Sequence, residues 1–228
     1  LTRSLKCWEV NASHSLSESS SSAVSFSPWM PKSVWAAENI LERCGSNPPE
    51  VAIILGSGLS GFADTIESPI VLPYRELSGF PEASVSGHAG NLILGELKGR
   101  RVACLQGRWH AYEGHDLKDL TTPIRALWKA GCNTLISTCA AGSLRDAMPP
   151  GSLMMLTDHI NWTGLSPLVG ANDERVGPRF TDMSEAYDQA LQNQLRAGAK
   201  ELGLTLHEGV YLWCLGPSFE TPAEIRAF

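Results

Sequence analysis

The pattern of apolar and polar positions predicts a chain in which strands and helices alternate. Short apolar runs of strand length, together with one region typical of a strand pair, fall at 51–55, 91–97, 101–106, 134–138, 152–156 and 205–215. Apolar residues recur at helical spacing in 31–45, 119–130 and 184–203. This alternation predicts an α/β fold: a single domain with a central mixed β-sheet flanked by helices.

Each predicted helix carries an apolar face that we expect to pack on the sheet. These faces are Val34, Ala37, Leu41 and Cys44 in the first helix, Leu120, Ile124, Leu127 and Trp128 in the second, and Tyr187, Leu191, Leu195 and Leu202 in the third. Gly45 is a predicted stop for the first helix, and Ser184 is a predicted cap for the third. Lys98-Gly99-Arg100 predicts a hairpin between two strands.

The two ends of the chain differ from its middle. Residues 1–29 are rich in serine, and Met30 is the first methionine, so we interpret 1–29 as a disordered or non-native extension. A Ser-rich transit peptide is the alternative. The domain is then 30–228. At the other end Thr221, Pro222 and Glu224 predict a capped helix that begins only a few residues before Phe228, so we expect a domain truncated there.

Composition and charge narrow the function classes. The chain is 43% hydrophobic and 18% charged, which is typical of a globular protein. A net charge of −6 gives no general attraction to nucleic acid, and no apolar run has the length of a membrane span. The six cysteines have no C-x-x-C spacing, which favours reduced thiols, no metal and a reducing compartment, the cytoplasm.

Polar residues collect just after the predicted strands. They are Ser57, the pair Arg108 and His110, the region of Ala140, and Glu220. Loops at strand ends that converge on one crevice are how α/β enzymes build a site. For any one of these loops, a plain turn is the alternative.

Several of these residues suit a phosphate dianion. The backbone N–H groups of the GSG turn around Ser57 can cradle a phosphate, although a simple glycine turn explains the same sequence. His88 lies between glycines that permit close approach of a ligand; an idle surface histidine is equally consistent. Arg108 suits bidentate phosphate binding, with a salt-bridged loop as the alternative.

The remaining candidates suit other parts of a ligand. In an extended segment Arg108, His110 and Tyr112 point to the same side, so Tyr112 can pack on a sugar. Glu113 and His115 can orient their neighbours. A phosphate would repel Glu220, which therefore suits the role of acceptor from a ligand N–H; an exposed residue at a helix start is the alternative.

Seven motifs, in order and spacing, resemble the trimeric purine nucleoside phosphorylases. They are ILGSGLSGF, FPEASVSGHAGNL, QGRWHAYEGH, CAAGSL, TDHIN, MSEAYD and GPSFETPAE. The resemblance implies phosphorolysis of purine nucleosides by a cytoplasmic homotrimer, without metal or organic cofactor. It assigns Ser57, His88, Arg108, His110 and Ala140 to phosphate, Tyr112 and Tyr187 to ribose, and Phe219 and Glu220 to the purine. His88 and Glu220 are the implied catalytic residues.

The chain departs from the family pattern at a few positions. Cys139 stands where the family has asparagine, Ser143 where it has glycine, and Leu165 and Ser166 alter a loop that in the family borders the neighbouring subunit. The sequence GSLR also occurs in the sister methylthioadenosine phosphorylases, which are the alternative enzyme. A non-catalytic remnant that binds phosphate or nucleoside is the alternative outside enzymes.

Overall fold

The computed structural model describes residues 2–6, 31–81, 90–174 and 176–228. Within these ranges eight strands form one mixed sheet, in the order β3-β4-β5-β2-β6-β1-β7-β8. The strands are β1 (Thr2–Lys6), β2 (Val51–Leu55), β3 (Glu67–Pro73), β4 (Asn91–Leu97), β5 (Arg100–Gln106), β6 (Thr134–Thr138), β7 (Leu153–Asn161) and β8 (Leu206–Trp213). The helices are α1 (Lys32–Cys44), α2 (Leu117–Leu120), α3 (Thr122–Lys129), α4 (Gln189–Glu201) and α5 (Pro222–Ala227).

The sheet joins a parallel centre to an antiparallel edge, which confirms the predicted fold class. β2 is parallel to both β5 and β6, and β7 is parallel to β8, whereas β4 is antiparallel to both of its neighbours, β3 and β5. The predicted hairpin between β4 and β5 is confirmed. Lys98 and Gly99 turn it with φ of 52° and 73°, the left-handed conformation that a two-residue hairpin turn requires.

The strand predictions were wrong in three places. The run at 152–156 continues through polar residues to Asn161, because its pairing with β8 extends that far. The expected strand pair at 205–215 is the single strand β8. The edge strand β3 was missed because its apolar run, Ile70 to Leu72, is short and is flanked by prolines, which argue against a strand. β1 lies in the segment expected to be an extension, and the boundary at residue 30 stays a prediction.

The helices α1 and α3 pack on each other through faces that share only Ala37 and Leu127 with those predicted. α1 buries Ser33, Ala36, Ala37 and Ile40, and α3 buries Thr122, Pro123, Ala126 and Leu127. Alanines at the contact let two helices approach closely, whereas periodicity is judged from large apolar residues. Val34, Leu41, Ile124 and Trp128 therefore lie outside the fully buried core.

The third helix begins later than predicted. Its cap is Asp188, whose carboxylate accepts a hydrogen bond from the Leu191 N–H at 2.9 Å, whereas the Ser184 hydroxyl donates to Asp182 in the preceding loop. Tyr187 therefore precedes the helix, and Leu202 is exposed. The C-terminal helix is confirmed, with the capping box formed by Thr221 and Glu224.

Alternate residues of the central strands build the core on the two faces of the sheet. Ala52 and Ile54 of β2 pack with α1 and α3 on one face, and Ile53 and Leu55 pack with Ala63 and Ile66 on the other. Cys104 is fully buried there, and burial raises the pKa of its thiol to about 12. The described cysteines form no disulfide with one another.

Candidate active site

The ends of β5, β2 and β6 deliver three predicted phosphate-binding residues to one edge of the sheet. The three strands are parallel neighbours, and Leu55 of β2 lies in register with Gln106 of β5. Ser57, Arg108 and Ala140 each follow one of these strands by two residues. The loops that carry them therefore start side by side.

Thr138, the last residue of β6, ties these loops together. Its hydroxyl accepts a hydrogen bond from the Gly56 N–H at 2.8 Å and donates one to the Ile54 carbonyl at 3.0 Å. Its carbonyl accepts from an Arg108 guanidinium nitrogen at 3.2 Å. One buried residue thus contacts the β2 end and the arginine after β5.

The first glycine of the GSG turn is required by close packing. A Cβ atom at Gly56 would lie 2.7 Å from the Thr138 carbonyl oxygen and 2.8 Å from the Cys139 Cα. Such distances are too short for any side chain. Gly56 therefore presses the Ser57 turn against the start of the Ala140 loop, and Ser57 itself is exposed.

An aromatic cluster supports the Arg108 loop. The buried Tyr74 hydroxyl donates to the Gly107 carbonyl at 2.8 Å, and the Tyr74 ring lies 4.6 Å from Trp109 and 5.6 Å from Phe80. Burial raises the pKa of Tyr74 well above its ordinary value, so the hydroxyl remains a donor. These contacts fix the backbone on both sides of Arg108.

Glu113 holds the two histidines of the same loop. Its side chain is only 5% exposed, and its Oε1 lies 2.7 Å from both the backbone nitrogen and Nδ1 of His110. Its Oε2 lies 3.6 Å from His115 Nε2. A proton on His110 Nδ1 is thereby bound by the carboxylate, which leaves Nε2 as the nitrogen available to a ligand.

His110 and Tyr112 form a stacked pair, with ring centroids 4.8 Å apart and planes inclined by 16°. The prediction of an extended segment, which placed both side chains on one side, was wrong beyond His110, because residues 111–113 form a 3-10 turn. The two rings still lie on the same side, because the turn brings Tyr112 beside His110. Tyr112 is 43% exposed, so its ring is open to a ligand.

The segment after β8 passes beside Tyr112. A Cβ atom at Gly216 would lie 3.6 Å from the Tyr112 ring. Phe219 and Glu220 follow in this segment, and both are exposed, Phe219 to 95%. Partial burial and then the charge of the Glu220 carboxylate raise the pKa of the Cys214 thiol.

Tyr187 is buried against β7. Its hydroxyl lies 3.0 Å from Nδ1 of His159, the two rings meet edge to face, and its carbonyl accepts from the Gln192 side chain. Its assignment to ribose stays a prediction.

His88 lies outside the described residues. Gly90, the first described residue after it, donates to the Gln106 carbonyl at 3.1 Å and accepts from the Tyr74 N–H at 2.8 Å. This hydrogen bonding places Gly90 at the end of β5. The role of His88 stays a prediction.

Sequence reasoning assigned no role to three supporting residues, and it named a fourth, Glu113, only as a residue that can orient its neighbours. Thr138 and Tyr74 lie in none of the seven motifs, and His159 lies in TDHIN but was given no role; the importance of all three comes from contacts distant in sequence. Glu113 was considered as an orienting residue, and its contacts agree with that role. A buried strand that ends in threonine beside a glycine turn is the signal that could have found Thr138.

The described ranges contain neither a metal-binding cluster nor a membrane-spanning helix. No group of three or more His, Cys, Asp or Glu side chains there could hold a metal ion. None of the helices in these ranges is long and apolar enough to cross a membrane.

Comparison with known proteins identifies the family. Residues 50–228 match the model of the phosphorylase superfamily. Purine nucleoside phosphorylase 1 of Geobacillus stearothermophilus is 45% identical over 84% of this chain and 69% of its own length, and that of Bacillus subtilis is 46% identical over 78% and 66%.

A solved structure agrees with these sequence matches. Isoform 2 of purine nucleoside phosphorylase from Schistosoma mansoni, in complex with cytosine and ribose-1-phosphate, has a TM-score of 0.80 and 38% identity over 86% of this chain and 70% of its own. The chain spans about two thirds of the length of these proteins. The chain belongs to the phosphorylase superfamily and, within it, to the purine nucleoside phosphorylase family.

Proposed function

We propose that the protein catalyses reversible phosphorolysis of purine nucleosides, with inosine and guanosine as preferred substrates. Purine (deoxy)ribonucleoside and inorganic phosphate give free base and (deoxy)ribose 1-phosphate. The observation that carries the proposal is the convergence of the Ser57, Arg108 and Ala140 loops around Thr138, beside the stacked pair of His110 and Tyr112. Relatives named purine nucleoside phosphorylase support it.

Phosphate binds at the edge formed by β5, β2 and β6. The Ser57 hydroxyl, the Arg108 guanidinium and the backbone N–H at Ala140 donate to its oxygens, each charge-assisted bond contributing about 1.5–3 kcal/mol. Arg108 is half-buried and bound to the Thr138 carbonyl, so it is held in place before phosphate arrives. When both ring nitrogens of His110 carry a proton, Nδ1 donates to Glu113 and Nε2 donates to the phosphate.

The reaction exchanges one bond at the anomeric carbon for another. The C1′–N9 bond breaks with its electron pair on the purine, and the sugar develops oxocarbenium character. The adjacent phosphate stabilises that positive charge, and its oxygen then forms the new bond to C1′. The purine anion needs donors and a proton, an electrostatic task that contributes several kcal/mol.

The base-side residues decide which purine reacts. The Glu220 carboxylate accepts the N1–H of hypoxanthine or guanine, whereas adenine offers no proton at N1. Phe219 packs on the base and Tyr112 on the ribose. The sequence GSLR was the reason to consider methylthioadenosine as the substrate. Its Ser143 hydroxyl donates to the Arg145 carbonyl and accepts from the Arg145 N–H, so this side chain stabilises the local turn.

The remaining parts of the proposal rest on the family. The active protein is a homotrimer in the cytoplasm and needs no metal or organic cofactor; inorganic phosphate enters the reaction as a co-substrate. Size-exclusion chromatography with light scattering tests the oligomeric state. A monomer that turns over at the full rate would remove the trimer from the proposal.

The test of function is phosphate-dependent turnover by the full protein. Inosine should give hypoxanthine and ribose 1-phosphate with phosphate and nothing without it. Methylthioadenosine is the matched substrate, and its faster phosphorolysis would replace the 6-oxopurine proposal with the sister activity. No phosphate-dependent turnover of either nucleoside would leave a remnant that only binds ligands.

A further inference from the structure

A cavity of about 350 Å³ lies between the α2–α3 segment and the loop that follows β7. One wall includes Leu120, Ile124, Arg125 and Trp128, and the other includes Leu168 and Pro178. This volume falls in the range of small-molecule sites, which are mostly apolar with a few placed polar groups. No lining residue belongs to the candidate active site.

The helical wall consists of residues whose spacing predicted a core position. Leu120, Ile124 and Trp128 recur every fourth residue, yet the core side of α3 is occupied by Pro123, Ala126 and Leu127. The segment thus has a second apolar face, which lines the cavity. Apolar side chains beside an empty volume gain free energy when a ligand of matching shape fills it.

The opposite wall is held by its own hydrogen bonds. An Arg179 guanidinium nitrogen donates to the Leu168 carbonyl at 3.3 Å and to the Gly170 carbonyl at 2.6 Å. The Asn172 side-chain amide donates to the Gly177 carbonyl at 3.3 Å. These bonds join Leu168, Gly170 and Asn172 to Gly177 and Arg179, so the two ends of this wall are tied to each other.

Arg125 is the cation that lines this cavity. It is half-buried, and its guanidinium has no hydrogen-bond acceptor and no acidic partner among residues 31–81, 90–174 and 176–228. A partly desolvated cation without a partner is unfavourable, and an anion relieves that cost. Guanidinium binds carboxylate through two parallel hydrogen bonds. The Trp128 indole lines the same wall, with the Lys129 ammonium 5.4 Å from its ring centroid, and its cavity side offers a surface for a planar apolar ring.

We infer that the cavity is a second binding site for a small planar carboxylate. The carboxylate binds Arg125, and the apolar ring packs against Trp128 and Ile124. Binding is non-covalent and independent of the phosphorolysis proposed above.

The experiment is isothermal titration of the full chain with 2-naphthoate, with 2-naphthalenemethanol as the neutral probe of the same ring. Naphthoate should bind with submillimolar affinity, and the neutral probe about tenfold or more weaker, because it cannot form the charged hydrogen bonds to Arg125. Saturating inosine and phosphate should leave the naphthoate affinity unchanged, which separates this cavity from the candidate active site.

Two variants locate the site. Arg125→Met keeps most of the side-chain volume and should weaken naphthoate about tenfold or more, while Arg43→Met, at an exposed arginine of α1, should have no effect. Val176→Trp fills the cavity without touching the charge and should also abolish binding. Thermal unfolding verifies that each variant is folded.

Three results would overturn the inference. They are no heat of binding at millimolar naphthoate, equal affinity of the acid and the neutral probe, or unchanged binding by folded Arg125→Met. Competition between naphthoate and phosphate would assign the ligand to the Arg108 site instead.

Discussion

The two halves of the candidate site differ in how firmly the fold holds them. The phosphate-side loops after β2, β5 and β6 are joined by hydrogen bonds to Thr138 and supported by the aromatic cluster of Tyr74. On the base side, Phe219 and Glu220 are exposed, and the segment that carries them passes beside Tyr112. Under the proposed function, anion binding therefore depends on a preorganised frame, whereas base recognition depends on individual side chains.

The largest expected effect is on the base side. Glu220→Ala should lower kcat/KM for inosine by about 10²-fold or more, because it removes a contact that grows as the purine gains charge. The KM for phosphate should change little. Steady-state assays that vary each substrate separately measure both constants.

Glu201→Ala, at an exposed carboxylate near the end of α4, is the matched control and should behave as the parent. A near-normal rate for Glu220→Ala would remove Glu220 from the site.

The next effect belongs to the phosphate side. Arg108→Ala should raise the KM for phosphate by about tenfold to 10²-fold, since it deletes charge-assisted hydrogen bonds to the anion. The same assays with varied phosphate measure it. Arg100→Ala, at an exposed arginine paired with Glu50, serves as control. An unchanged phosphate requirement would return Arg108 to a purely structural role.

A change at Thr138 tests the frame itself. Thr138→Val leaves the buried Gly56 N–H without an acceptor and should lower the free energy of unfolding by about 1–3 kcal/mol. The KM for phosphate should also rise, because the Ser57 turn loses its anchor. Denaturant unfolding measures the first effect and kinetics the second.

Thr134→Val makes the same substitution at the other end of β6, where the hydroxyl donates only to the neighbouring Asn133 side chain. It should cost less than about 0.5 kcal/mol. Equal losses from the two variants would show that Thr138 has no special place in the site.

The smallest effect concerns the influence of the Glu220 carboxylate on the pKa of the Cys214 thiol. Partial burial and the Glu220 carboxylate raise the pKa of the thiol, so Cys214 should be alkylated only at a pH above the ordinary thiol range. Glu220→Gln removes the negative charge and should shift the onset to lower pH. Iodoacetamide labelling followed by peptide mass spectrometry measures the rate at Cys214. The same onset pH in both proteins would place Glu220 away from the thiol.

The sequence predicted the central features of the fold because they depend on local pattern. The buried strands at 51–55 and 134–138, the hairpin at Lys98-Gly99 and the α5 capping box all have signals within a few residues. The predictions that were wrong depend on pairing and packing. The length of β7 follows from its partner strand, and the buried face of α3 follows from the alanines of α1.

The residues of the candidate site show the same difference between local sequence signals and contacts distant in sequence. Motifs identified Ser57, Arg108, His110 and Glu220 as candidate site residues in loops after strands. The residues that hold them in place, Thr138 and Tyr74, act across separations of 82 and 33 residues. Contacts over such distances leave no trace in spacing, so the supporting frame required the structure.

A crystal structure of the protein with bound phosphate tests the central claim most directly. The account predicts one phosphate at the carboxyl ends of β5, β2 and β6, within hydrogen-bond distance of the Ser57 hydroxyl, the Arg108 guanidinium and the N–H at residue 140. An Arg108 that remains on the Thr138 carbonyl while phosphate binds elsewhere would contradict it.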